Sequence, residues 1–396
     1  MDKHSAILVT GAGGFVGKNL CAALRCRGYD SLLTFDIDTP KEALREYVQK
    51  AAFVFHLAGV NRPKDPGEFY AGNRGFTEEL LHLLAQAGNK APVLVTSSVQ
   101  AELDNDYGRS KREAEELIFA HERATGAPAL VYRLPGVFGK WCRPAYNSVV
   151  ATFCHNIAHG QPIEVRDRAY TLPLVYIDDV VDTFIGAMEG RAARDCSIPG
   201  YCHLMCEVYQ TSLGRLADTI RSFAESRATL AVPDMGDALT RKLYATYLSY
   251  LPEDAFAYPL CMHADARGSF TEFLRTPERG HVSVNVAKPG VVKGNHWHHT
   301  KNEKFLVVRG EAAICFRRLG TDKVLEYRVS GDKLEVVDIP TGYVHSIENV
   351  GQGELVTVMW ASEPFDPQNR PSVGKRMYPA GISAILGSDQ ENSQRK

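Results

Sequence analysis

The stretch Ile7-Leu-Val-Thr10-Gly11-Ala-Gly-Gly14-Phe15-Val16-Gly17 decides how the first half of the chain is read. Four strand-forming residues run into three glycines spaced by three, and a helical pattern begins at once. Glycines at 11, 14 and 17 permit a tight turn, close approach of backbone to a pyrophosphate, and close packing of helix on strand. The helix opened by Phe15 and Val16 then offers free N–H groups and a positive dipole end to phosphate. Context makes the signal specific, because a strand precedes it and a βαβ series follows. Further apolar runs at 32–36, 53–57, 93–97 and 129–133 alternate with helical patterns near 15–27, 40–50, 74–88 and 107–124. Short, continuously apolar strands between helices predict a doubly wound α/β unit with a parallel sheet covered on both faces.

From about residue 260 the texture changes. Alternating runs at 281–287, 304–308, 312–317, 333–339 and 354–360 are divided by turns rich in Gly and Pro, which predicts an antiparallel β sandwich or barrel. The segment Tyr250–Pro259, with prolines at 252 and 259, reads as the linker. The expected division is residues 1–250, 251–380 and a disordered tail, 381–396.

Composition sets the outer limits. The 396 residues favour two domains, and 45 Lys+Arg against 47 Asp+Glu leave a formal charge of −2. That balance argues against a nucleic-acid or membrane-surface partner held by bulk charge. No apolar run is long enough for a spanning helix, and the start lacks the pattern of a signal peptide. Nine scattered cysteines fit reduced thiols in a cytoplasm better than a disulfide framework.

Asp36 closes the second strand about 20 residues after the glycine turn, where an acid would bind the adenosine ribose and favour NAD(H) over NADP(H). Tyr107 and Lys111 lie one turn apart at the start of a helix, beyond a strand ending in Thr96-Ser97-Ser98. An ammonium beside a phenol favours the phenolate, so the pair suits proton exchange near neutrality. Ser98 is placed to hold a carbonyl oxygen while Tyr107 protonates it. A surface contact between positions i and i+4 is the bland alternative.

The second half carries Gly290-x₅-His296-x-His298-x₄-Glu303-x₆-Gly310 and Pro340-x-Gly342-x₂-His345. His296 and His298 face one side of a strand, and Glu303 and His345 can reach them from neighbouring strands. Three imidazoles and a carboxylate suit Zn²⁺, Fe²⁺, Mn²⁺ or Ni²⁺. His299 and Lys301, between the ligands, are weaker candidates for substrate contact.

The glycine turn, the strand end His56-Leu57-Ala58-Gly59, Asn73, Ser98 and Tyr107-x-x-x-Lys111 together resemble an extended short-chain dehydrogenase/reductase. The resemblance implies a Rossmann-type fold and adds Leu57, Ala58, Gly59 and Asn73 to the cofactor-binding residues. Gly160–Val165 and Tyr176-Ile-Asp178-Asp179 resemble members acting on nucleotide-diphosphate sugars. Two departures are visible: Gly136 stands where the family's Arg-x-x-Asn pattern after Arg133 has Asn, and Leu172-Pro-Leu174 replaces an Arg-Asp. Val99-Gln100 after Ser98 disfavours the sugar dehydratases, which carry Asp-Glu there. The second half resembles the two cupin motifs, although Gly331 lies further from Pro340 than expected. Asp265-x-Arg267-Gly268-x-Phe270-x-Glu272 resembles the opening of cupin sugar epimerases, with Arg267 as a candidate for acidic groups of the substrate.

The fusion as a whole resembles the CapF-type bifunctional enzymes of capsular-polysaccharide and O-antigen synthesis. That resemblance implies a zinc cupin that epimerises C3 of a UDP-2-acetamido-2,6-dideoxy-4-keto-hexose. An NADPH-dependent reductase would then reduce C4, giving UDP-2-acetamido-2,6-dideoxy-L-talose in a homodimer or larger homo-oligomer. The alternatives are a reductase or a 4-epimerase with a non-catalytic cupin used for oligomerisation or binding.

Overall fold

A computed structural model describes residues 1–260, 263–265, 268–270, 274, 281–362 and 372–374. Arg267, Glu272 and the 381–396 tail lie outside the described residues. Two compact units emerge: residues 1–153 with 164–217, and residues 154–163 with those from 218 onward.

In the first unit the chain alternates β1 (Ile7–Thr10), α1 (Phe15–Cys26), β2 (Leu32–Phe35), α2 (Lys41–Lys50), β3 (Phe53–His56) and a short α3 (Gly67–Phe69). A π-helical turn, Tyr70–Gly75, leads into α4 (Phe76–Gln86). Then come β4 (Val93–Ser98), a 3₁₀ turn at Val99–Glu102, α5 (Asp106–Thr125) and β5 (Ala129–Leu134). The five strands form an all-parallel sheet in the order β2-β1-β3-β4-β5. Ile7, Leu8, Val54, Phe55, Leu94 and Val131 are wholly buried, as expected where helices cover both faces. The strand order reverses between β1 and β3, and ligands of open α/β sheets bind at such a switch point, outside the carboxyl ends of the strands. Beyond it lie β6 (Gly136–Phe138), the start of α6 (Val149–Ala158), β7 (Thr171–Tyr176), α7 (Ile177–Gly186) and β8 (Tyr209–Ser212), with β6, β7 and β8 making a small mixed sheet.

The second unit contains most of α8 (Leu213–Thr229) and all of α9 (Ala238–Leu248) beside an antiparallel β fold. Its strands are β9 (Ala257–Pro259), β10 (His263–Asp265), β11 (Gly268–Phe270), β12 (His281–Ala287), β13 (Val292–His298), β14 (Glu303–Arg309) and β15 (Glu311–Arg318). They continue with β16 (Val324–Ser330), β17 (Glu335–Ile339), β18 (Tyr343–Asn349), β19 (Leu355–Ala361) and β20 (Ser372–Gly374). Two five-stranded sheets form the cupin-like body, ordered β12-β19-β14-β17-β9 and β16-β15-β18-β13-β20. Trp297, Phe305, Ile314, Phe316, Val336 and Trp360 fill its core.

The stretch read as a linker at Tyr250–Pro259 is partly structural, because β9 pairs with the edge of β17. The helices before it also pack with the β body. Asp338 of β17 is fully buried and binds Arg227 of α8 (Nη2 to Oδ2, 2.6 Å) and Lys304 of β14 (Nζ to Oδ1, 2.6 Å). The Thr341 hydroxyl donates to the Ala245 carbonyl of α9 at 3.3 Å. Such charges endure away from water only with good partners, so α8 and the β body are held as one packed unit.

Candidate active site and metal centre

At the switch point the glycine turn is built by exclusion. Gly11 has φ +68°, and a Cβ there would lie 2.7 Å from the Ala58 nitrogen of the β3 strand end. A Cβ on Gly17 would meet the Gly11 carbonyl oxygen at 2.1 Å, so only glycine lets α1 sit this close to the turn. Gly14 is the N-cap of α1, and Phe15 and Val16 start the helix. Asp36, just beyond β2, accepts from the Gly13 N–H through both carboxylate oxygens, at 3.0 and 2.9 Å. Burial raises its carboxyl, against the Gly13 hydrogen bonds. The acid and the turn are thus brought together, with the carboxylate at the lip of the phosphate cradle. That cradle, with glycines a side chain would block, fits a dinucleotide.

Further along the same sheet edge, Asn73 is buried in the π-helical turn. It accepts from Val60 N at 2.9 Å and donates to the Val60 carbonyl (3.1 Å) and Ser110 Oγ (3.0 Å). A Cβ on Gly59 would lie 2.8 Å from Asn73 Oδ1 and 3.1 Å from Lys111 Nζ, so Gly59, Asn73 and Lys111 converge. The extra residue of a π turn re-aims the helix face there. Leu57 continues the β1–β3 edge through its N–H to the Thr10 carbonyl.

Tyr107 and Lys111 share a face of α5, whose N-cap Asn105 accepts from Gly108 N at 2.8 Å. Ser98, at the end of β4, caps the following 3₁₀ turn by accepting from Gln100 N at 3.1 Å and also hydrogen-bonds the Tyr107 phenol. Ser98 and Tyr107 are thus joined by a hydrogen bond, and Lys111 follows one turn further along the same helix. The expected electrostatics differ. Burial pushes the Tyr107 phenol above its ordinary value, and the Ser98 hydrogen bond only partly offsets this. The Lys111 ammonium is turned to the Thr96 carbonyl at 3.3 Å, and burial lowers it to about 8 against the opposing pull of Glu115. Desolvation governs both groups in the chain by itself.

Two residues of this centre carried no role in the sequence reading. His56 is buried, with Nδ1 2.8 Å from Thr10 Oγ1 and Nε2 2.8 Å from Thr77 Oγ1. Burial, helped by Lys111, pushes it down to about 3, so it is a neutral strut. Glu115, one turn beyond Lys111, is gripped by Arg133. Its i+4 spacing from Lys111 was the signal available. Asp178, matched only as part of a motif, binds buried Lys140 through both oxygens at 2.6 and 2.8 Å and fastens the segment after β6 to α7.

In the second unit, His296 and His298 lie on β13, and His296 pairs in register with His345 of β18. Glu303 comes from β14 of the other sheet. One ligand atom from each of the four residues falls within 4.8 Å of the others. A bulge between Gly294 and His296, with Asn295 at φ +57°, re-aims this end of β13. Glu303 Oε2 is 3.2 Å from His298 Nε2 and 3.3 Å from His345 Nε2, and its Oε1 is 2.6 Å from Lys301 Nζ. Burial lowers all three imidazoles, favouring the neutral form that ligates metal. Burial acts to raise the Glu303 carboxyl, but His298 and His345 outweigh it and hold the group well below the ordinary carboxylate range. Three neutral imidazoles and an ionised carboxylate, buried together, fit a divalent cation of the zinc class. Lys301 sits against Glu303, while the His299 ring lies tilted beside Trp297 at 4.3 Å between ring centroids.

No helix among the described residues is long and apolar enough to cross a membrane. Residues 7–197 match the NAD dependent epimerase/dehydratase family, and residues 263–372 match the polysaccharide biosynthesis C-terminal domain. The chain is 46% identical over 363 residues to a Pseudomonas aeruginosa protein named UDP-2-acetamido-2,6-beta-L-arabino-hexul-4-ose reductase, covering 92% of this chain and 96% of that one. The crystal structure of the capsular polysaccharide assembling protein CapF from Staphylococcus aureus aligns with a TM-score of 0.65 at 46% identity, over 93% of this chain and 99% of that one. On these matches, which span both units, the chain belongs to the CapF family, in which a Rossmann-type epimerase/dehydratase unit is fused to a cupin-like polysaccharide-biosynthesis domain.

Proposed function

We propose that the chain is a bifunctional nucleotide-sugar enzyme of polysaccharide synthesis: a C3 epimerase in its cupin and a C4 keto reductase in its Rossmann-type unit. One observation carries this reading: a Ser98–Tyr107–Lys111 centre and a buried three-histidine, one-glutamate centre occur in the same chain. The name of the Pseudomonas aeruginosa relative, a reductase of a UDP-linked hexul-4-ose, supports a 4-keto sugar as substrate. The substrate would be a UDP-2-acetamido-2,6-dideoxy-4-keto-hexose and the product UDP-2-acetamido-2,6-dideoxy-L-talose. The order follows from carbon acidity. The C3 proton is removable only while C4 is a ketone, and reduction then locks the new configuration.

The chain's residues divide the work. Ser98 holds the C4 carbonyl oxygen, Tyr107 gives it a proton, and Lys111 keeps that proton transfer favourable through its charge and binds the cofactor ribose. Gly11, Gly14, Phe15, Val16 and Gly17 cradle the pyrophosphate, with Leu57, Ala58, Gly59 and Asn73 along the adjoining edge. A bound nicotinamide cofactor would supply hydride. His296, His298, Glu303 and His345 would hold one divalent metal, most simply Zn²⁺, whose charge would stabilise an enolate. Asp36 repels a 2′-phosphate, so NADH is the expected donor over NADPH. Reductase chemistry is assigned to residues 1–250 and metal chemistry to 251–380, with 218–250 serving as packing for the latter. A cytoplasmic homodimer or larger homo-oligomer completes the proposal.

The deciding experiment is incubation of the protein with the UDP-4-keto-6-deoxy sugar in deuterated water with NADH or NADPH, reading products by NMR. Deuterium at C3, stoichiometric oxidation of the cofactor and a preference for NADH are expected. Reduction without deuterium uptake would leave the cupin non-catalytic. Turnover without net cofactor oxidation would make the first unit a 4-epimerase.

A further inference from the structure

Resting on the reductase reading, we propose that Glu115 is a positioning residue for that reaction, keeping the Lys111 ammonium charged. Its own charge is metered by a clamp of Arg133 and Tyr201. Glu115 and Lys111 are both buried, stand one turn apart on α5, and line the same small pocket as His56, Asn73 and Thr96. Arg133, at the carboxyl end of β5, grips Glu115 in a fork, Nε to Oε1 at 2.9 Å and Nη2 to Oε2 at 2.7 Å. The Tyr201 hydroxyl donates to Oε2 at 2.7 Å while its ring lies 4.4 Å below the guanidinium. Arg133 has a second, outer partner in Glu102 of the 3₁₀ turn at 3.2 Å. This gives a role to the arginine whose motif lacks its usual asparagine at Gly136.

The electrostatics are readable group by group. From β3, the group facing Lys111 is His56, held neutral by burial; from the π-helical turn it is uncharged Asn73; from β4 it is the Thr96 carbonyl. Arg74 of the π-helical turn is spent on Glu78 and Glu113 at the exposed side. On α5 itself the groups are Tyr107 and Glu115, and β5 acts through Arg133. Glu115 is thus the anion that opposes the burial of Lys111, and Arg133 and Tyr201 set how much of its charge Lys111 experiences. Above its titration point Lys111 would be neutral and Tyr107 would lose its cationic neighbour.

Two readouts test this on the full-length protein. Competitive acetylation by acetic anhydride across pH, with Lys111 followed by mass spectrometry, reports its titration without substrate. The alkaline limb of reductase kcat/KM reports its effect on turnover. A wild-type protein that oxidises no reduced cofactor would count against the reductase reading alone. Glu115→Gln should move both the Lys111 titration and the limb to lower pH by roughly one unit. Glu115→Asp, which keeps the charge, should restore most of that shift, and Arg133→Gln should move both to higher pH by strengthening the carboxylate's field. A merely structural clamp would lower thermal stability in all three and leave the titration in place, which would overturn the proposal. Movement in the same direction in Glu115→Gln and Arg133→Gln would also overturn it. If Glu115→Gln fails to fold, Arg133→Gln decides alone, since only a shift to higher pH supports the assignment.

Discussion

The two buried polar centres meet opposite problems with different architecture. In the Rossmann-type unit the residues come from strand ends of one parallel sheet and from the helices beside them, and the centre is positively biased: Lys111 is buried and lowered to about 8, and His56 is pushed down to about 3. In the cupin-like unit two sheets face each other, and an ionised Glu303 from one meets three imidazoles from the other. The first centre keeps a cation where burial resists it, and the second keeps an anion. The contrast teaches that desolvation costs are met locally, by Glu115 in one case and by imidazoles in the other, and not by the near-neutral charge of the whole chain.

The comparison breaks most sharply at Tyr107. Tyr107→Phe should lower the rate of NAD(P)H oxidation by about 10³-fold, while C3 deuterium exchange persists; loss of both would end the separation of the two centres. Next is His345→Ala, which should strip the metal, read as metal content after dialysis, and abolish exchange while cofactor binding by the first unit is unchanged. Asp338→Asn tests stability alone. Leaving Lys304 and Arg227 without their buried carboxylate should cost about 3–5 kcal/mol, read from urea unfolding of the second unit. Burial acts to raise the Asp338 carboxyl, but Lys304 and Arg227 hold it below the ordinary value. Its contribution is therefore complete above the unfolded value of about 4 and is lost as pH falls through the lower folded value. The smallest effect is at Lys301. Lys301→Met frees one oxygen of Glu303 and should weaken metal retention about tenfold in a chelator competition, with Lys301→Arg recovering part of it.

Much of the fold was legible from local pattern. β1, the glycine turn and the start of α1 appear where strand propensity and glycine spacing place them, because local backbone conformation demands those residue types in that order. The strand pairing His296 with His345 was implied by ligand chemistry, not by propensity. Legibility failed where a residue's role depends on distant partners. Asp338 looks like a surface strand acid until Arg227, 111 residues away in sequence, is seen against it. The same distance effect made Tyr250–Pro259 look like a free linker, although β9 completes a sheet edge.

Backbone sterics and ligand chemistry demand particular residue types at particular spacings, so the two fold classes, the glycine turn, the Ser98–Tyr107–Lys111 set and the cluster of three histidines and a glutamate were readable before folding. Packing set the electrostatics and the long-range contacts: that burial outweighs the Ser98 hydrogen bond at Tyr107, that Asp36 accepts from Gly13, that Arg133 clamps Glu115, and that α8 packs with the cupin-like body. Those outcomes turn on which groups lose water together, and desolvation is a property of the packed chain, not of any local stretch.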